Sequence, residues 1–266
     1  MTTRFVASSL LAGAAITAVA LGAATPTLAQ TANNSSPAPE LPARTTIPIV
    51  FTRTVSAGNA HPGDVVEART TQPVHLAGGS AIKSGAVIRG HVVTSSSFAY
   101  DKTPYARQRP AVLAIQFDSL NLGGSALPLR VVVRAVASPI ATNDALTSGP
   151  SDMDPLRTLK LVGGDLLTPS QKEVTNAEGD VVAYQHKDGV YAHLIANGRC
   201  DGGEDEVPMG VFSANACGLY GFGDVAATEL GSATVPSQMT LVSTHTSPKL
   251  WKNTSALLEV LPARSR

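Results

Sequence analysis

Cys200 and Cys217 are the only two cysteines in the chain, separated by the short segment 201–216. Thiols occurring as one close pair suit a disulfide in an oxidising compartment. Closing a loop of this length stabilises by roughly 3 kcal/mol in the chain-entropy account. Two other chemistries compete for the same residues. A metal centre needs more soft ligands than two thiols, and no histidine stands nearby at C-x-x-C or C-x-x-H spacing. A nucleophilic thiol is the third option, and the pairing of the cysteines argues against it. The expectation is a disulfide between Cys200 and Cys217, with no metal ligand and no catalytic residue.

Other patterns invite a chemical reading. Ser80 and Lys83 match S-x-x-K, in which lysine activates a serine one helical turn away. Here the four residues lie between glycine turns in a β-type run, where i and i+3 face opposite sides, so an ordinary turn with an exposed lysine is expected. Residues 218–223 (GLYGFG) are glycine-rich but lack the G-x-G-x-x-G spacing and a strand-loop-helix setting. Asp201, Glu204, Asp205 and Glu206 form an acidic loop whose spacing fits no EF-hand; a solvated loop tied down by the disulfide is expected, with calcium as the alternative. His61, His75, His91, His186, His193 and His245 are scattered, and scatter does not make a triad. They read as strand-surface or hydrogen-bonded residues. Tyr100, Tyr105 and Trp251 are the aromatic side chains that could form a ligand surface. No cofactor is expected.

The elements that must position these residues are strands. Charged residues make up 15% of the chain, and β-branched and small residues are plentiful, which suits strands better than long solvated helices. Runs at 47–55, 64–71, 73–76 and 86–94 are each bounded by Gly, Pro, Ser or Asn. Residues 111–119 alternate, with Leu113, Ile115 and Phe117 on one face and Ala114, Gln116 and Asp118 on the other. A turn at 121–124 leads to a strand over 126–137, so a hairpin is predicted. In it Leu129, Val131, Val133 and Ala135 share a face, opposite Arg130, Val132 and Arg134 on a partly wet side. Shorter runs follow at 158–162, 180–184, 190–196, 207–212, 239–244 and 256–261, with hairpin-type turns at 176–180 and 186–189. The fold class is all-β: a barrel- or sandwich-like antiparallel domain with a smaller β-rich C-terminal part.

The N-terminus reads as an export signal. Arg4 precedes an apolar run over 5–24, and Thr27-Leu28-Ala29 is a small-residue cleavage site. Cleavage after Ala29 is expected, with an uncleaved anchor as the alternative. Removing the first 29 of 266 residues leaves about 237, enough for one large β domain or two small ones. Residues 30–46 are rich in Pro, Ser, Asn and Ala, too poor in large apolar groups to offset ordering entropy, and read as a flexible leader. No later segment reaches transmembrane length. Twenty basic and twenty acidic residues balance, which suggests neither nucleic acid nor an anionic membrane surface as a partner.

The order SAG, PGDVVEARTTQPV, GGSAIKSGAVIRGHVV and then LAIQFDSLNLGGSALPLRVVV resembles the C-terminal β domain of the TrbI-like conjugation family, the channel component of type IV secretion systems. Pro62-Gly63, Ile82-Lys83-Ser84-Gly85 and Leu122-Gly123-Gly124 stand where that family places its turns, and the match covers about residues 47–137. Family members carry a cytoplasmic tail, a membrane helix and a proline-rich spacer, whereas four residues precede the apolar run here. Their pore-forming insertion is apolar, whereas 138–154 is polar and proline-interrupted. The resemblance therefore implies the scaffold without the pore. The second half is similar to uncharacterised secreted bacterial proteins through VGGD, GVYAHL and FSANACGLYGF.

The resulting organisation is a signal peptide at 1–29, a flexible leader at 30–46, a TrbI-like β domain at 47–137, a polar linker at 138–157 and a β-rich region at 158–262. The expected protein is exported, whether periplasmic, outer-envelope associated or secreted. Its expected role is non-enzymatic, structural or in protein interaction, with envelope proteins or further copies of itself as partners. The alternative is a binding module for a small ligand or envelope polysaccharide.

Overall fold

The computed structural model describes residues 40–104, 107–147, 159–164, 166–170 and 172–262. The export signal, residues 30–39 of the leader, and Tyr105 lie outside the described residues. The first strands are β1 (Thr46–Phe51), β2 (Val55–Ser56), β3 (Val65–Thr70), β4 (Val74–His75), β5 (Ala81–Ile82) and β6 (Val87–Ser96). Next come β7 (Ala111–Asn121), β8 (Ala126–Pro128), β9 (Val131–Ala137) and the helix α1 (Pro139–Leu146). A second series is β10 (Leu159–Lys160), β11 (Leu166–Pro169), β12 (Glu173–Thr175), β13 (Val181–His186), β14 (Gly189–His193) and β15 (Glu206–Pro208). The chain closes with β16 (Gly218–Tyr220), β17 (Ala226–Glu229), β18 (Gln238–Ser243), β19 (Lys249–Leu250) and β20 (Ser255–Val260). The all-β expectation holds.

Ten strands form a nearly closed barrel in the order β16-β9-β20-β1-β3-β6-β7-β18-β17, with β8 paired to β7. Every neighbour is antiparallel except β16, which runs parallel to β9. Leu113, Ile115 and Phe117 of β7 point inward as their alternation requires, and Phe51 packs on Phe117 with ring centroids 6.2 Å apart. Bulges in the β6–β7 ladder, one on each strand, help coil the sheet. At one of them Gly90 runs so close to β7 that a Cβ would lie 2.1 Å from the Gln116 carbonyl oxygen, so only glycine fits.

One buried residue bridges the two sides of the closure. Ser237, in the left-handed region at φ 64°, accepts from the Phe117 N–H (2.8 Å) and donates its own N–H to the Val131 carbonyl (2.7 Å). Its hydroxyl donates to the Leu129 carbonyl (3.0 Å) and accepts from the Val131 N–H (3.0 Å). Beside it the Val133 N–H donates to the Leu230 carbonyl (2.6 Å), tying β9 to the end of β17.

This closure changes the predicted hairpin. The run 126–137 splits at Leu129–Arg130, and only β8 pairs with β7. Pro128 has no N–H to continue a ladder, and beyond it β9 crosses to β20. The face assignment changes too. In the β9–β20 ladder Leu257 lies opposite Ala135 and Leu258 opposite Val133, so Arg134 is the extra residue of a bulge. Val133 and Val136 face the barrel core, while Ala135 and Ala137 join a second core outside it. Arg134, expected on a partly wet side, is fully buried because a second sheet covers that side.

The covering layer is the antiparallel half-barrel β10-β11-β12-β13-β14-β15. Its Leu167, Val174, Ala183 and Val207, with Met209 and Phe212, pack against Ala135, Ala137 and Leu257 on the outside of the barrel. Burying a side chain the size of Met209 or Phe212 contributes roughly 1.5–3 kcal/mol. Turns at 176–180 and 186–189 connect hairpins, as their Gly179 and Gly189 at positive φ allow.

Two segments expected to lack structure have it. The last part of the leader is packed: Leu41 joins the barrel core, Thr45 and Thr46 are buried, and the Arg44 N–H donates to the Val260 carbonyl (2.8 Å). One leucine and a ladder start suffice to order residues that composition alone makes look flexible. The first half of the polar linker is α1. Ser138 caps it, its Oγ accepting from the Ala141 N–H (3.2 Å), and Pro139 supplies a φ suited to the first turn.

Candidate functional site

The bulge in β9 aims Arg134 out of the barrel and under a loop of the second layer. That loop is closed by the Cys200–Cys217 disulfide, whose Cα atoms are 6.0 Å apart. Together with Ile195 just ahead of it, it supplies the arginine with carbonyl acceptors. Nη1 donates to the Asp201 carbonyl and to Glu259 Oε2 (3.3 Å), while Nη2 donates to the carbonyls of Ile195 (2.6 Å) and Ala214 (3.3 Å). The guanidinium is fully buried, and its Nε–H has no acceptor among the described residues.

Glu259, on β20, completes a chain of charges. Arg44 reaches Glu259 Oε1 at 3.8 Å and Asp201 Oδ2 at 3.6 Å, and its Nη1 donates to the Gly202 carbonyl (3.1 Å). Burial pushes the Glu259 carboxyl above the usual carboxylate range, although Arg134 and Arg44 pull it the other way. A buried pair of this kind is weak evidence for net stability, since desolvation of both ions offsets their attraction. Its clearer effect is positional, because the arginine fixes where the disulfide loop lies against the barrel.

Above this network is a cavity of about 350 Å³ at the seam where β9 passes between the start of β16 and the end of β17. Arg44, Arg199, Asp201, Glu229 and Glu259 converge on it, and Val132, Leu230, Val260 and the disulfide supply apolar wall. The volume lies at the lower end of the small-molecule range.

The aromatic candidates lie elsewhere. Tyr100 is 80% exposed in the loop after β6. Trp251 follows β19; it is 37% exposed, packs on Phe222 at 5.6 Å between centroids and has Lys249 Nζ 6.0 Å from its ring. The Phe98 N–H donates to Ser247 Oγ (2.9 Å), tying the Tyr100 loop to the segment before β19. Among the described residues no contact joins Tyr100 to Trp251.

The other patterns resolve into structure. Ser80 and Lys83 flank β5 in the β4–β5 hairpin, not a helix. Asp201 pairs with Arg44 while Glu206 lies in β15 against His186, so the acidic loop is split between two partners. Among the described residues no group of three or more His, Cys, Asp or Glu is placed to hold a metal ion. His91 Nδ1 lies 2.9 Å from Asp118 Oδ2 across β6 and β7, and His193 bonds the Glu204 carbonyl. His75, His186, Asp188, Tyr191 and Glu206 line a separate hollow. There the Tyr191 hydroxyl donates to Asp188 Oδ2 (2.9 Å), and burial first, then that carboxylate, push its pKa up to about 12.

Comparison with protein-family models, with curated proteins and with solved structures gave no match. The functional reading therefore rests on this geometry. Arg134 and Glu259 were the residues to find, and the sequence carried a signal for them. Each is a lone charge inside an apolar run, VVVRAVA and SALLEV. Such residues are almost never buried without a partner.

Proposed function

We propose that this chain is an exported, non-enzymatic envelope or secreted β protein that works through a rigid outline docking on other proteins, envelope components or further copies of itself. The observation that carries the reading is the use made of buried charge. Arg134 and Glu259 are spent on fixing one sheet and its disulfide loop against another, a means of pre-organising a surface. Export is supported by the disulfide, which suits an oxidising compartment, and by the signal pattern at 1–29. Among the described residues no helix is long and apolar enough to cross a membrane.

The TrbI-like scaffold over 47–137 belongs to the same proposal. Supporting it, Pro62-Gly63 precedes β3, Ser84-Gly85 precedes β6, and Leu122-Gly123-Gly124 joins β7 to β8. Co-purification from fractionated cells tests the whole reading. The protein is expected in the envelope or medium with a specific protein partner or as a defined oligomer, and that association is expected to weaken with reductant. Recovery solely as a free monomer overturns it.

A second reading, a binding module for a small ligand, is favoured by the seam cavity and its convergent charges. Binding of an envelope polysaccharide at Tyr100 and Trp251 has less support, since Trp251 already packs on Phe222.

A further inference from the structure

The seam cavity holds unused binding capacity of both signs. Arg199, the residue before Cys200, is exposed at the rim and makes no ion pair or hydrogen bond among the described residues. Arg134 also lines the wall, but its guanidinium, Nε–H included, is fully buried and out of a ligand's reach, so Arg199 is the available cation. On the acidic side, Glu259 Oε1 has only Arg44 at 3.8 Å, too far for a hydrogen bond. Glu229 uses one oxygen, Oε1, to accept from the Gly231 N–H (2.8 Å). The three arginines and three carboxylates lining the cavity cancel, so a ligand with a net charge of either sign gains nothing from the cavity as a whole. A ligand carrying both charges close together meets both sets of spare groups.

We propose that the cavity beside the Cys200–Cys217 disulfide binds a small zwitterion, an α-amino acid with an aliphatic side chain. Its carboxylate meets Arg199, its ammonium meets Glu229 and Glu259, and its hydrocarbon lies on Val132, Leu230 and Val260. This rests on the second reading above, that the cavity takes a small ligand, and adds the class of ligand.

Calorimetric titration of the full mature protein with three probes tests it: L-leucine, 3-methylbutylamine and 4-methylpentanoate, the last two being leucine's two halves with one charge each. Leucine is expected to bind at least about tenfold more tightly than either half, the size of effect one charged hydrogen bond provides. Arg199→Ala is expected to weaken leucine about tenfold and leave the amine unchanged. Glu229→Gln is expected to weaken leucine and the amine and leave 4-methylpentanoate unchanged. Both positions lie at the rim, and unchanged far-ultraviolet dichroism of the variants confirms the fold. Equal binding of all three probes overturns the zwitterion while leaving a ligand cavity in place. Absence of leucine binding, with other compounds from a small fragment set binding at the seam, does the same. Absence of any binding overturns both.

Discussion

Arg134 occupies a position where its neighbours Val133, Ala135 and Val136 are all aliphatic and buried. An arginine survives there because the bulge turns it outward and the carbonyls of Ile195, Asp201 and Ala214, with Glu259, accept from it. Removing one member of a buried charge pair leaves the other uncompensated, at a cost of about 3–5 kcal/mol. Arg134→Ala is expected to lower urea-unfolding stability by that amount. A loss below about 1 kcal/mol would mean that water replaces the guanidinium and that the loop does not depend on it. Tyr191 gives a prediction in pH. Its phenol is held neutral in the fold while the unfolded phenol ionises near its ordinary value of 10.0, so the stability it contributes is present below pH 10 and lost as pH rises toward about 12. Tyr191→Phe is expected to lose less stability than the parent over that interval, measured by denaturant unfolding at matched ionic strength. Identical slopes would remove the phenol from the account.

The strands differ in how far local sequence determines them. β7 was legible because Leu113, Ile115 and Phe117 alternate over a long run, and the turns at 176–180 and 186–189 because their glycines permit positive φ. Strands of two to four residues such as β11, β16 and β17 were not legible, since so short a run contains no period. The bulge at Arg134 was missed because it exists only in the register between β9 and β20, and that register reversed the face of Ala135. The seam cavity, formed where β9 meets two such strands, β16 and β17, was invisible in any one of them, whereas the disulfide beside it was expected from the cysteine pair. That disulfide is expected to act locally. Replacing both Cys200 and Cys217 with serine should cost roughly 3 kcal/mol. Hydrogen exchange should quicken mostly between residues 195 and 216, with the barrel strands protected as before. Uniform loss of protection would show instead that the loop and barrel unfold as one unit.

At the scale of the molecule, sequence order and spatial order part company. The first β region expected from the sequence, 47–137, stops at the end of β9, yet the barrel that contains these strands is completed by β18 and β20 from the last thirty residues. β20 lies between β9 and β1, and β18 hydrogen-bonds along β7 from Ala111 to Gln116. The described residues accordingly group as one compact unit. Without β18 and β20, the fragment 40–137 would expose β1, β7 and β9 as unpaired edges and open the apolar interior around Ile49, Phe51, Ile115 and Phe117 to water. Expressed alone, it is expected to aggregate or to lack a cooperative thermal transition, while 40–262 unfolds cooperatively. Mixing the fragment with a peptide spanning 236–262 is expected to restore part of the dichroism and protection, because that peptide carries both missing strands and Ser237. A fragment that folds cooperatively unaided would show that the first region closes on itself and that the C-terminal strands are later additions to a finished barrel.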